Sequence, residues 1–175
     1  GDIIRAYQDK GFIYHSEVCI WKDPVTAMQR THALGLLHKT IKKDSSMSRQ
    51  GIADYLVVMR TPGENLEPIT HDDQTMPVMR WQRYASPIWV TTGQTDDEGF
   101  LHCSAEETAD ENIGVCPSNT LQYRSAREHD DERHICPLQL AVIRRAVRLW
   151  SNPNDVVWSP FTGIGSEGVV SLQEG

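Results

Sequence analysis

The stretch that most constrains the fold lies near the C-terminus, at Asp155-Val156-Val157-Trp158-Ser159-Pro160-Phe161-Thr162-Gly163-Ile164-Gly165-Ser166-Glu167-Gly168. Val156, Val157 and Trp158 have strand character. Gly163 and Gly165 reach backbone angles that side chains forbid, and they let a ligand approach the main chain. Ser166 and Glu167 suit a helix N-terminus. A strand, a glycine turn and a helix predict a nucleotide-type binding corner at the C-terminal edge of an α/β sheet. Alone, the Gly-x-Gly spacing also fits an ordinary tight turn between strand and helix.

The residues upstream narrow the choice. Arg133-His134-Ile135-Cys136-Pro137-Leu138-Gln139-Leu140 leads into Ala141 to Trp150, which has helical periodicity, and then into Ser151-Asn152-Pro153-Asn154-Asp155. This block resembles the C-terminal motifs of DNA methyltransferases of the amino group, the adenine-N6 or cytosine-N4 type, in permuted order. The family pattern is His-x-x-x-x-Pro, a helix, Ser/Asn-Pro-Gly-Asp-x-Val, and Asp-Pro-Phe-x-Gly-x-Gly. The chain departs from it at Ser159, where Asp is usual.

The resemblance implies an α/β, Rossmann-like S-adenosylmethionine-dependent sheet, incomplete in this chain and interrupted by an irregular insert. It implies a methyl transfer to the exocyclic amine of a flipped base in double-stranded DNA, with adenine-N6 favoured, in an enzyme of the kind found in phages and restriction–modification systems. The cofactor contacts it carries over are Ser159, Pro160, Phe161, Gly163 and Gly165, with His134, Cys136 and Pro137 closing over the methionine end. The family's catalytic tetrapeptide, Asp/Asn/Ser-Pro-Pro-aromatic, has its place before Gly1. No two prolines adjoin anywhere in the chain, so no catalytic residue is assigned, and the chain alone is expected to be inactive. A non-catalytic DNA- or cofactor-binding module and an unrelated Rossmann-like nucleotide binder are the competing readings.

The resemblance divides the chain into residues 1–63, the target-side core; 64–124, a variable insert and candidate target-recognition region; and 125–175, the cofactor side. The 175 residues suffice for one domain with a real core. No apolar run approaches membrane-spanning length and no signal peptide opens the chain. Four scattered cysteines without a Cys-x-x-Cys pair argue for free thiols in a reducing cytoplasm. The net charge of −7 looks wrong for a DNA binder. Its acidic part, however, is concentrated between Asp96 and Glu111, a poor phosphate contact, and elsewhere the balance is close to neutral.

Gly1 to Gly11 reads as a helix already under way, with Ile3, Ile4 and Tyr7 on one face and Gly11 as its stop. Both ends read as interrupted. Phe12 to Trp21 is a predicted strand with Ser16, Val18 and Ile20 on one face. His15 and Glu17 are on the other, as a surface pair or, less simply, as acid–base or metal groups. Val25 to Lys43 reads as a helix with Gly35 as its weak point. Lys42 to Gly51 is a polar loop in which Lys42, Lys43, Ser45 and Arg49 suit phosphate contacts. A strand follows from Asp54 to Arg60. In the insert, Trp81, Tyr84 and Trp89 suit either base stacking or a small local core. Arg124 and Arg127 are further candidate phosphate contacts. The scattered His and Cys residues match no zinc spacing, and no metal is assigned.

Overall fold

The structure is a computed structural model. It describes residues 1–22, 24, 28, 32–90, 94–95, 101–102, 120–121, 138–161 and 163–175. The chain is mixed α/β, built on a three-stranded sheet.

Helix α1, Asp2–Asp9, ends as its sequence requires. Gly11 takes φ +91°. Its N–H bonds the Gln8 carbonyl at 2.9 Å, and the Phe12 N–H bonds the Tyr7 carbonyl at 3.1 Å. That pair of bonds is a Schellman stop, and its usual apolar contact is present. The Tyr7 and Phe12 rings meet edge to face with centroids 5.4 Å apart. The stop turns the chain directly into strand β1, Ile13–Ile20.

β1 is the central strand. β2, Asp54–Arg60, pairs with it antiparallel, Val18 opposite Leu56 and Ile20 opposite Asp54. The two-residue β3, Ile88–Trp89, lies parallel on its other side, Ile20 opposite Trp89. The order is β2-β1-β3. A register shift between Tyr14 and Ser16 bulges β1 and removes His15 from the ladder. This breaks the simple alternation expected for His15 and Glu17. The His15 Nδ1 lies 2.8 Å from the Ser16 hydroxyl instead.

The expected helix from Val25 to Lys43 is not continuous over its described part. His32 has φ +50°, Leu34–Leu36 is a single 3-10 turn, and Leu37 is extended. Only His38–Lys43 is α-helical, helix α2. Gly35 explains the break. A Cβ there would lie 2.8 Å from the Arg49 Cγ and 3.2 Å from the Met47 carbonyl oxygen. Arg49 donates its backbone N–H to the Gly35 carbonyl at 3.0 Å. Tertiary contact with the 45–49 loop outweighs helix propensity, which is a weak prior.

Helix α3, Val78–Tyr84, leads into β3. Gln94–Thr95 (β4) and Leu101–His102 (β5) pair antiparallel as a separate ribbon. Helix α4, Leu140–Trp150, matches the periodicity of its sequence and buries Ala141, Val142, Ile143 and Arg145. The core joins Val18 and Ile20 of β1, Trp89 of β3 and Val142 of α4, flanked by Leu56 and Leu149. Helix α5, Ser166–Glu174, packs on α4. Among the described residues no helix is long and apolar enough to cross a membrane.

One expectation fails at the anchoring stretch. Asp155 to Trp158 belongs to no sheet among the described residues. Val156 is 94% exposed and Trp158 80% exposed. Valine and tryptophan favour a strand because they pack against neighbours on a pleated surface. No described strand lies alongside to supply that surface, so the preference goes unanswered.

Candidate cofactor corner and basic surface

The turn before α5 carries the geometry the glycines were expected to supply. Gly163 has φ +49° and Gly165 φ +83°, both in the left-handed region. Gly165 is the N-cap of α5, and no side chain among the described residues caps that end. The first-turn N–H groups of the nine-residue helix carry the positive end of its dipole. A Cβ on Gly165 would meet nothing within 4 Å. The constraint at that position is thus backbone conformation, not crowding. Phe161 is 86% exposed just before the turn, and Ser159 and Pro160 lead into it. Of the cofactor contacts implied by resemblance, these five lie along one stretch of chain, residues 159–165, of which residue 162 is outside the described residues. His134, Cys136 and Pro137 lie outside the described residues.

The approach to the corner is set by a tight turn that the motif pattern alone did not single out. Asp155 donates its N–H to the Asn152 carbonyl at 3.1 Å. Asn152 in turn donates its N–H to the Asp155 carboxylate at 2.7 Å. Pro153 and Asn154 fill the middle, and Asn154 has φ +70°. Proline followed by a residue with positive φ suits a type II turn, where glycine is usual and asparagine is the common substitute. Asn154 stands where the family pattern has Gly. The same backbone requirement accounts for both residues, and the signal for it is the Asn-Pro-Asn-Asp run.

The candidate phosphate contacts divide. Lys42 and Lys43 close helix α2 and are exposed, so they are helical rather than part of a loop. Ser45 begins a 3-10 turn, Ser45–Met47. Arg49 is exposed, with its stem across Gly35. These four residues lie within one compact unit, residues 34–49. Asp44 sits among them. Hydrogen bonds from the Ser46 hydroxyl at 2.6 Å and backbone N–H at 3.0 Å hold its carboxyl below the usual carboxylate range. The patch therefore carries a fixed negative charge beside its lysines. Arg124 and Arg127, like most of the acidic stretch, lie outside the described residues.

The aromatic trio splits as well. Trp89 is fully buried, and its Nε1 donates to the Tyr84 carbonyl at 3.2 Å. The Arg145 guanidinium, 2% exposed, lies 5.1 Å from the Tyr84 ring centroid and 5.1 Å from that of Trp89. Tyr84 and Trp89 thus serve the core, joined to α4 by a cation–π contact. Trp81 alone remains half exposed. No three His, Cys, Asp or Glu side chains among the described residues group as a metal would require.

At the far end of the pair, α4 and α5 are tied by charge. The Glu174 carboxylate accepts from the Arg144 Nε at 2.8 Å and the Arg148 Nε at 2.5 Å. These bonds fix the direction in which α5 leaves the glycine turn.

Compared with family models, curated proteins and solved structures, the chain matches none.

Proposed function

We propose that this chain is part of an S-adenosylmethionine-dependent DNA methyltransferase acting on the exocyclic amine of a base, adenine-N6 in preference to cytosine-N4. The observation that carries the reading is the glycine turn. Two left-handed glycines lead into a helix N-terminus that no side chain of the described residues caps, inside a motif block with the order of that family, although His134 and Pro137 are separated by two residues where its pattern has four. The residues present suit the methionine carboxylate, because an uncapped N-terminus with its dipole is an anion site.

When bound, S-adenosylmethionine supplies an electrophilic methyl group on a sulfonium. The chain's own part is to bind and orient. Main-chain N–H groups at the start of α5 would hold the carboxylate. The exposed Phe161 ring offers an apolar surface beside it. His134, Cys136 and Pro137, outside the described residues, would by the resemblance hold the methionine end. Lys42, Lys43, Ser45 and Arg49, with Arg124 and Arg127, contact phosphates of double-stranded DNA and set the register without reading sequence.

The orienting Pro-Pro-aromatic tetrapeptide does not occur in these 175 residues. Transfer depends on the amine being held in line with the methyl, and an error of about 1 Å can cost roughly 100-fold. The chain alone is therefore expected to bind cofactor weakly and to transfer no methyl group. Two measurements test this. Titration with S-adenosylmethionine, followed by NMR, should shift the Gly163 and Gly165 amides, and Gly163→Val should abolish those shifts. Equal shifts in the variant would remove the corner from the cofactor site. A radiolabelled methyl-transfer assay on duplex DNA should give no signal with the chain alone. Transfer by pure chain would show that the catalytic groups lie within it. The non-catalytic binder remains the runner-up, because the same missing tetrapeptide motivates it.

A further inference from the structure

The three-stranded sheet has a second face. Strand pairing sets Cys19 of β1 between Tyr55 of β2 and Ile88 of β3. Alternation puts this row on the side away from Val18 and Ile20, which belong to the core. Glu17 lies opposite Val57, and the bulge at His15 brings Tyr14 opposite Met59 on the same side. Tyr55 is 59% exposed and Ile88 48% exposed. β2 reads Tyr55-Leu56-Val57-Val58-Met59 without a polar residue. An unbroken apolar run is the mark of a strand covered on both faces. Here the face carrying Leu56 meets the core, while the face carrying Tyr55 stays open.

Helix α1 has the complementary need. Its apolar stripe is Ile3, Ile4 and Tyr7, no residue of the helix is buried, and Ile3 is 72% exposed. Only three residues separate α1 from β1, and the Schellman bonds with the Tyr7–Phe12 contact fix the turn between them. That fixed turn leaves the stripe in solvent. An amphipathic helix and an apolar sheet face are the two layers that α/β packing joins.

We propose that two copies of this chain pair reciprocally, α1 of each lying on the open sheet face of the other about a two-fold axis. Charge selects this arrangement. Glu17 is the one charged strand residue on that face, and Lys10 closes α1; neither bonds to a described residue. Helix on sheet brings Lys10 toward the partner's Glu17. Sheet on sheet would instead bring two Glu17 carboxylates together, which repulsion disfavours. Tyr7, Tyr14 and Tyr55 are each about half exposed and so offer on the order of 100 Å² apiece. With Ile3 and Ile88, a reciprocal pair covers roughly 1,000 Å² in all, the lower end for a specific interface. The dimer is therefore weak and reversible.

The test uses the full 175-residue chain carrying Val156→Lys, so that the exposed 156–158 stretch does not contribute to association. Sedimentation velocity from about 5 to 500 µM should show a monomer–dimer equilibrium. Ile3→Lys and Tyr55→Lys, both at exposed positions that leave the core intact, should each raise the dimer Kd at least about tenfold. Cross-linking then reads the geometry. Cys103→Ser, Cys116→Ser and Cys136→Ser leave one chain with Cys19 alone. A second chain carries these three changes with Cys19→Ser and Ile3→Cys. A short bismaleimide added to the mixture should couple unlike chains in preference to either like pair. Coupling mainly between Cys19 chains would mean sheet on sheet, and mainly between Ile3→Cys chains helix on helix; either overturns the proposal. So does a chain that stays monomeric throughout, or dimerisation unchanged in Ile3→Lys or in Tyr55→Lys.

Discussion

Replacing Trp89 separates the two roles open to the aromatic trio. Trp89 is 0% exposed, touches the central cluster with Val18, Ile20 and Val142, donates through its Nε1 to Tyr84 and faces the Arg145 guanidinium. Truncation of a buried tryptophan to alanine costs about 3–5 kcal/mol in transfer and cavity terms. Loss of the Nε1 hydrogen bond adds about 1 kcal/mol, and loss of the cation–π contact in this dry setting adds about 1–2 kcal/mol. Against a typical domain stability of about 5–15 kcal/mol, Trp89→Ala should leave the chain largely or wholly unfolded. Trp89→Phe keeps most of the ring and loses mainly the Nε1 bond, for about 1–2 kcal/mol. Trp81, 52% exposed, is the control: Trp81→Ala should stay within about 0.5 kcal/mol. Urea unfolding followed by far-ultraviolet circular dichroism gives all three. The reasoning is refuted if Trp89→Ala unfolds within about 1 kcal/mol of the parent, or if Trp81→Ala costs as much.

Three further outcomes follow from other parts of the molecule. Glu174→Ala removes the shared acceptor of Arg144 and Arg148 and should cost about 1–3 kcal/mol by the same urea measurement, since the three side chains are only partly exposed. Asp72 accepts from the Thr75 N–H and hydroxyl and from the Gln74 N–H, which lower its carboxyl below the ordinary 3.8. Its stabilising effect is therefore fully present above about pH 3.8 and is lost as pH falls through the lower folded value; a carbon-13 titration midpoint at or above 3.8 would contradict this. Lys42→Glu with Lys43→Glu should weaken DNA binding and reduce its log–log salt slope by about 0.9 for each phosphate no longer neutralised, about 1.8 for the pair; an unaltered slope would exclude the patch.

What the sequence revealed follows how local each signal is. Gly11 and its apolar neighbours specified the stop of α1, and the periodicity from Ala141 specified α4, because capping and amphipathic spacing act within a few residues. Alternation identified Val18 and Ile20 as the buried face of β1 for the same reason. The failures involve distant partners. The helix expected from Val25 to Lys43 breaks at Gly35, its weak point, because Arg49, fourteen residues on, approaches closely there. Trp89 proved central only once β3 lay beside β1. Arg145, one polar residue in a helical pattern, is buried because Tyr84 and Trp89 receive it. The glycine corner was legible as a turn and a helix start. The strand before it was not, because strand character depends on neighbours the stretch does not choose for itself.

That unanswered strand preference has a practical consequence. Val156, Val157 and Trp158 form a short, proline-free apolar segment of high β-propensity, largely exposed and paired with no described strand. A segment of that composition, left open, is a template on which other chains can add. Purified in isolation, the polypeptide should self-associate as its concentration rises. Light scattering should detect this, and a single charged replacement such as Val156→Lys should suppress it, giving a more tractable sample for every measurement above.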